Sequence, residues 1–224
     1  METQHKPTLK DEVYQQIIEL ICNGSIKTGE IITEKQLINH FGISKSPVRE
    51  ALIQLGHDNV LKSIPRCGYQ VIQIQAKDIR DLTEVRLYLE LGCLQKMVES
   101  PDEATLSRLK ELNRLRCVKP VEQKDVWSAW DNNVQFHLRL LEGAGNTYAL
   151  DLLERTLSTC TRAYAQLYYN HRESVISSTS STHAHERIVA AIEAHDLDGA
   201  AALLREDILR MQTDLLPRTL NAIY

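Results

Sequence analysis

Apolar residues recur at helical spacing along most of this 224-residue chain, and the period changes once. Val13, Ile17, Ile18 and Ile21 lie one to four residues apart, which predicts an amphipathic helix. Thr8 precedes it as a cap, Asp11 takes the capping-box position three residues on, and Gly24 follows as a stop. Residues 25–30 read as a turn. A second helix is expected from Thr33, with Gln36 in the capping-box position, Leu37, Ile38 and Phe41 inward, and Gly42 as its break. A third opens at Ser46 with Pro47 at the first helical position, and Val48, Ala51, Leu52 and Leu55 face inward. The period then shortens to two. Segments 60–64 and 69–74 are short and rich in β-branched residues, and Pro65-Arg66-Cys67-Gly68 separates them. That predicts a β-hairpin with its tip near Gly68. Helix, glycine turn, capped helix and hairpin in that order make a winged helix-turn-helix.

From Asp78 onward every segment reads helical. Leu82, Val85, Leu89, Leu91, Leu94 and Met97 supply the first apolar stripe. Ser100-Pro101-Asp102-Glu103 reads as the next start, with Ser100 as cap and Pro101 at the first position. Leu106, Leu109, Leu112 and Leu115 follow, and Lys119-Pro120 is a break. Helices are expected over 126–142 and 149–170, with a polar, serine-rich stretch over 171–181. Segments 183–195 and 197–211 form an antiparallel pair, the second capped by Asp196, with Pro217 beyond it. The expected fold is mainly α: an N-terminal winged helix-turn-helix with a small β-hairpin wing, then a C-terminal all-α helical bundle. The expected organisation is a winged-helix domain over 1–75, a short linker over 76–80, and an all-α domain over 81–218.

Composition narrows the function classes. Apolar residues make up 43% and charged residues 25%, an ordinary globular balance. No apolar run is long enough to span a bilayer, residues 1–9 carry no secretory signal, and the last residues form no prenylation box. The cysteines, Cys22, Cys67, Cys93, Cys117 and Cys160, are scattered without a C-x-x-C pair, which fits a reducing, cytoplasmic setting. The formal net charge is −4, and residues 1–75 balance eight basic against eight acidic side chains. Any nucleic-acid face must therefore come from local clustering. Lys45 precedes the third helix, and Ser46 and Arg49 lie in its first turn, where a recognition helix meets bases. Arg49 can fork onto a guanine, and Lys35 on the preceding helix can meet a phosphate. Arg66 and Gly68 place a cation and a close-approaching backbone on the wing. The competing structural reading of Arg49 is an ion pair with Glu34.

Gly42-Ile-Ser-Lys-Ser-Pro-Val-Arg-Glu-Ala-Leu52, followed by Arg66-Cys-Gly68, resembles the GntR family of bacterial transcription regulators. Glu84-Val-Arg-Leu-Tyr-Leu-Glu90, Asn133-Val-Gln-Phe-His137 with Gly143-Ala-Gly-Asn146, and His185-Glu-Arg-Ile188 resemble, in order, the helical effector domain of its FadR-like branch. Asn59 stands where the family usually has glycine, and asparagine tolerates the left-handed turn. The resemblance implies a ligand-responsive regulator rather than an enzyme. It implies a homodimer on a palindromic double-stranded operator and a small anionic metabolite, a carboxylate, as effector.

The resemblance also implies a metal site. Asn133 and His137 are four residues apart and share a helix face. The family's ligand positions carried onto this chain are Asn133, His137, His185 and Asp207. The carboxylate is thus absent at 133 and present at 207. Two imidazoles, one carboxylate and a weak amide oxygen suit a divalent ion such as zinc or nickel. The same exchange also fits a pocket without metal. Arg86 stands where the family carries an arginine, and a buried guanidinium suits a carboxylate ligand; its alternative role is an ion pair with Glu90. Arg139, Arg162 and Tyr164 are further candidates to line the cavity. Two other readings stay open: a metal-dependent hydrolase in a helical bundle, and a DNA-binding protein whose pocket no longer works.

Overall fold

Capping chemistry starts the N-terminal helices. In the computed structural model, which describes residues 8–117, 126–170 and 179–216, Thr8 caps α1 (Leu9–Cys22). Its side chain accepts from the Asp11 N–H, and the Asp11 carboxylate accepts from the Thr8 N–H, the two halves of a capping box. Thr33 and Gln36 repeat the device at α2 (Glu34–Phe41), which Gly42 ends in the left-handed conformation. Helix α3 (Lys45–His57) begins two residues earlier than the sequence reading, behind Ser44. Pro47 is therefore its third residue, not its first. The first four N–H groups of a helix have no partner within it, so proline fits there without losing a bond. Asn59 does take the left-handed conformation, at φ 53°.

Strand β1 (Ile31–Ile32) was not legible in the sequence. Two residues carry no period, and the strand exists because β3 offers it an edge. The sheet runs β1, β3 (Gly68–Val71), β2 (Leu61–Ile64), all antiparallel, with Ile32 opposite Tyr69 and Ile64 opposite Gly68. Val13, Ile17, Leu37, Val48, Leu52, Leu55, Leu61 and Val71 close one core between these helices and the sheet. Burying each such side chain is worth about 1.5–3 kcal/mol.

Gly68 holds this sheet together. Its φ is +132°, and a Cβ there would sit 2.4 Å from the Ile32 carbonyl oxygen of β1. Gly68→Ala should therefore cost about 1–3 kcal/mol or more in chemical unfolding. Gly29→Ala is the control, because it also has a positive φ but open space around the added carbon. Equal losses in the two variants would remove the close approach as the cause.

The remaining elements are helical: α4 (Ala76–Glu99), α5 (Glu103–Cys117), α6 (Val126–Gly143), α7 (Thr147–Asn170), α8 (Thr179–Glu193) and α9 (Leu197–Leu215). Residues 76–80, expected as a linker, are the first turn and more of α4. Ser100 ends α4 instead of starting α5; Asp102 supplies the start, accepting from the Thr105 N–H at 2.9 Å. Asp196 caps α9 as expected, accepting from the Gly199 N–H. The chain divides into two compact units, residues up to 74 with the end of α7 from Tyr164, and 75–163 with α8 and α9. The second has its own core, built on Leu94, Met97, Leu109, Phe136, Leu140, Leu153, Ile188, Leu204 and Ile208.

One face of α4 corrects the sequence reading. Val85, expected inside, is 40% exposed, and Thr83, Arg86 and Glu90 are buried in its stead. The Lys119-Pro120 break, the start of the serine-rich stretch and Pro217 lie outside the described residues. None of the described helices is long and apolar enough to cross a membrane.

Candidate functional site

The first unit presents its cations on α2 and α3. Lys35 sits in the first turn of α2, and Lys45, Ser46 and Arg49 open α3; all four are exposed. Glu34 lies beneath two of them, 3.7 Å from Lys45 Nζ and 3.9 Å from Arg49 Nε. The expected pairing of Arg49 with Glu34 is therefore present, but loose and wet. Such exposed pairs are worth about 0–1 kcal/mol, so they leave both cations available to another anion. Ser46 Oγ donates to Glu50 Oε1 at 2.7 Å. Arg66 is exposed between β2 and β3, with φ at 62° in the left-handed region, and Gly68 opens β3.

The second unit contains a buried polar cluster drawn from four helices. Arg86 on α4 is wholly buried, and its Nε donates to Glu90 Oε1 at 2.7 Å. Glu90 Oε2 faces His137 Nδ1 of α6 at 2.5 Å. His137 Nε2 faces Asp207 Oδ2 of α9 at 3.1 Å, and His185 Nε2 of α8 lies 3.5 Å from the same oxygen. Phe136 stacks on the His185 ring, centroids 3.7 Å apart and planes 4° from parallel, which holds that imidazole in place.

Charge inside this cluster is tightly coupled. Burial pushes the Glu90 carboxyl up, but Arg86 and His137 outweigh it and hold the group below its ordinary value. Burial likewise opposes ionisation of Asp207, and hydrogen bonds from His137 and His185 overcome it, leaving the group far below the usual carboxylate range. For His137, burial pulls the pKa down, while Glu90 and the bond to Asp207 raise it above 6.5. Burial pushes the nearby Cys160 thiol up to about 11, so it stays protonated and apolar in character.

A stability profile follows from these signs. A depressed carboxyl adds stability above its ordinary pKa of 3.8–4.5, and loses it as pH falls through the folded value. A raised imidazole adds stability fully below 6.5, and loses it as pH rises through the folded value. In the presence of chelator, unfolding free energy should therefore decline on the alkaline side of pH 6.5. His137→Gln should flatten that decline. A wild-type profile that stays level to pH 9 would contradict the raised His137.

Arg86 is under-served. A guanidinium has five donors. One goes to Glu90, Nη1 goes to the weak acceptor Met211 Sδ at 2.9 Å, and Nη2 is buried with no hydrogen-bond partner among the described residues. An unsatisfied buried donor costs about 1–3 kcal/mol, more when charged, which marks the spot as built for an acceptor.

The cluster also fits a metal. One donor atom from each of His137, His185 and Asp207 lies within 4.8 Å of the others. The 3.1 and 3.5 Å separations bracket the roughly 3.3 Å edge of a tetrahedron around an ion bound at about 2.0–2.1 Å.

The sequence-predicted residues divide accordingly. His137, His185, Asp207 and Arg86 converge. Asn133 is buried one turn before His137, and its side chain makes no hydrogen bond among the described residues. Arg162 is buried on α7, with Nη2 donating to Thr159 Oγ1 at 3.2 Å; Tyr164 is buried farther along that helix. Arg139 is not in the cluster: it is half-exposed and donates to Glu142 at 2.6 Å on the outer face of α6. Sequence reasoning took Glu90 only as an alternative partner for Arg86, and passed over Phe136 and Met211. The signal for Glu90 was available, since Thr83, Arg86 and Glu90 share one helix face by spacing.

Two family models match the chain: bacterial regulatory proteins, gntR family, over residues 9–71, and the FCD domain over 81–210. An HTH-type transcriptional regulator of Bacillus subtilis, YdhC, is 31% identical over 150 residues, 64% of each chain. The gluconate operon transcriptional repressor of the same organism is 28% identical over 179 residues, 79% of this chain and 72% of the relative. The structure of Escherichia coli McbR/YncC matches with a TM-score of 0.71 at 21% identity, covering 94% of this chain and 98% of that one. These matched families and relatives are transcription regulators, so regulation and not hydrolysis is the family's activity. Through both models, the chain belongs to the GntR family and carries an FCD effector domain.

Proposed function

We propose that this regulator works in the cytoplasm as a homodimer. It reads a palindromic operator with two winged helices, and a small carboxylate held in residues 81–218 modulates that reading. Residues 1–75 do the reading. Lys45, Ser46 and Arg49 meet the major groove, Lys35 meets a phosphate, and Arg66 with Gly68 carries the wing. Pairing two modules on a two-fold site doubles a contact area that is small for one.

The buried cluster is the observation that carries the sensing half. Four ionisable groups and an arginine in a helical core are costly, and apolar residues would serve packing better. His137, His185 and Asp207 would hold a divalent ion, zinc or nickel, with Asn133 as a weak fourth donor. Bound there, the ion supplies an electrophile for an anionic oxygen. Arg86 Nη2 offers the second anchor. The charges agree with this assignment: Arg86 and Glu90 cancel, Asp207 leaves one negative charge, and a divalent ion converts it to one positive charge. A singly charged carboxylate then neutralises the site. Arg162 and Tyr164 stand as additional candidates to line it. A ligand whose contacts differ between two dimer arrangements shifts their populations, and with them the grip on DNA.

Elemental mass spectrometry of untagged protein tests the metal. Near-stoichiometric zinc or nickel is expected in the wild type and should vanish in His137→Ala/His185→Ala. No metal after soaking with either ion would leave the site to Arg86 and hydrogen bonds alone.

A further inference from the structure

We infer that Glu90 is the positioning residue of the metal cluster: by bridging Arg86 and His137, it orients the His137 ring so that Nε2 is the atom left to bind. The inference rests on the metal reading above and adds a residue to it. Glu90 is 1% exposed and uses both oxygens, one on Arg86 Nε at 2.7 Å and the other on His137 Nδ1 at 2.5 Å. An ionised carboxylate only accepts, so Nδ1 must carry a proton. Nε2 then turns its other side to Asp207 Oδ2, 3.1 Å away. In the metal-free protein a second ring proton on Nε2 closes that contact; a metal ion would take that proton's place, while the Nδ1 proton stays on Glu90. The arrangement is a carboxylate behind an imidazole with a cation site in front, the usual way that an outer partner fixes which ring nitrogen binds metal.

A simple counter-ion to Arg86 would not need the second oxygen. Glu90→Gln separates the two roles because it keeps shape and removes one acceptor. An amide has one oxygen and one NH2 group. Facing the charged Arg86 with its oxygen is the better choice, since a charge-assisted bond is roughly twice as strong. The NH2 then faces Nδ1, which must accept, and the ring proton moves to Nε2. That occupies the metal-facing atom.

The test has two readouts. The first is 15N NMR of the His137 ring in metal-free protein at alkaline pH, where the imidazole is neutral. The proton is expected on Nδ1 in the wild type and on Nε2 in Glu90→Gln. The second is zinc affinity by chelator competition, expected to fall about 10- to 100-fold in Glu90→Gln. If the variant does not fold, the wild-type spectrum still decides, because a neutral ring protonated on Nε2 overturns the inference. Zinc bound by both proteins within twofold overturns the role of Glu90 and leaves the metal reading intact. No zinc bound by the wild type overturns the metal reading, and the role assigned to Glu90 falls with it.

Discussion

Arg86→Ala is expected to lower the unfolding free energy by about 3–5 kcal/mol, because it leaves a buried carboxylate without its main counter-charge. Domain stabilities run only about 5–15 kcal/mol, so this is a large share of the total. Both partners are essentially inaccessible to water, and the pair closes at 2.7 Å. Burial of two ions is itself costly, and here the guanidinium and His137 together compensate Glu90. Removing one member does not return the other to water. Arg86→Met/Glu90→Leu should recover part of the loss, since it removes both charges at similar volume. The recovery stays incomplete, because His137 Nδ1 then lacks its acceptor. Urea unfolding followed by tryptophan fluorescence measures all three, as the chain's two tryptophans, Trp127 and Trp130, both lie in α6, the helix that carries His137. A single-variant loss under 1 kcal/mol would mean that water reaches the pair.

Arg49→Ala should weaken specific operator binding on the order of 10²–10⁴-fold while leaving stability within about 0.5 kcal/mol of wild type. A bidentate guanine contact is worth about 1–3 kcal/mol, and a two-fold site uses it twice. On the folded side there is little to lose. Arg49 is 62% exposed, and its nearest carboxylate is 3.9 Å away. Fluorescence anisotropy on duplexes selected by the wild-type protein gives the affinity ratio. Lys35→Ala should instead reduce the salt dependence of binding and weaken all sequences alike. Undiminished operator affinity in Arg49→Ala would assign base reading to other side chains.

The N-terminal half was nearly complete in the sequence because its signals are local. Thr8 with Asp11, and Thr33 with Gln36, state helix starts within four residues, and each pair forms as written. Gly42 and Asn59 mark left-handed turns by chemistry that needs no distant partner. The period change at residue 60 announces the hairpin. Even the small errors are local: Pro47 and Ser100 each fit more than one position near a helix end, and the sequence gives no means of choosing.

The helical half was legible as helices, but its polar interior was not. A stripe of leucines along α4 reads as the inward face, and hydrophobicity alone selects it. Which side of α4 turns inward is decided by α6, α8 and α9, whose His137, His185 and Asp207 supply partners for Arg86 and Glu90. Helical spacing alone placed Asn133 beside His137. Their family likeness named the candidate ligands, and only the fold brought two of them, His137 and His185, within reach of one oxygen of a third, Asp207. By itself, the sequence determined the elements, their order and the exposed cations of α3, all of which depend on neighbours a few residues away. Tertiary structure alone decided strand β1, the need for Gly68, the outward place of Arg139 and the buried cluster. Each of these depends on a partner far along the chain, and the free energy of burying charge has no value until that partner is in place.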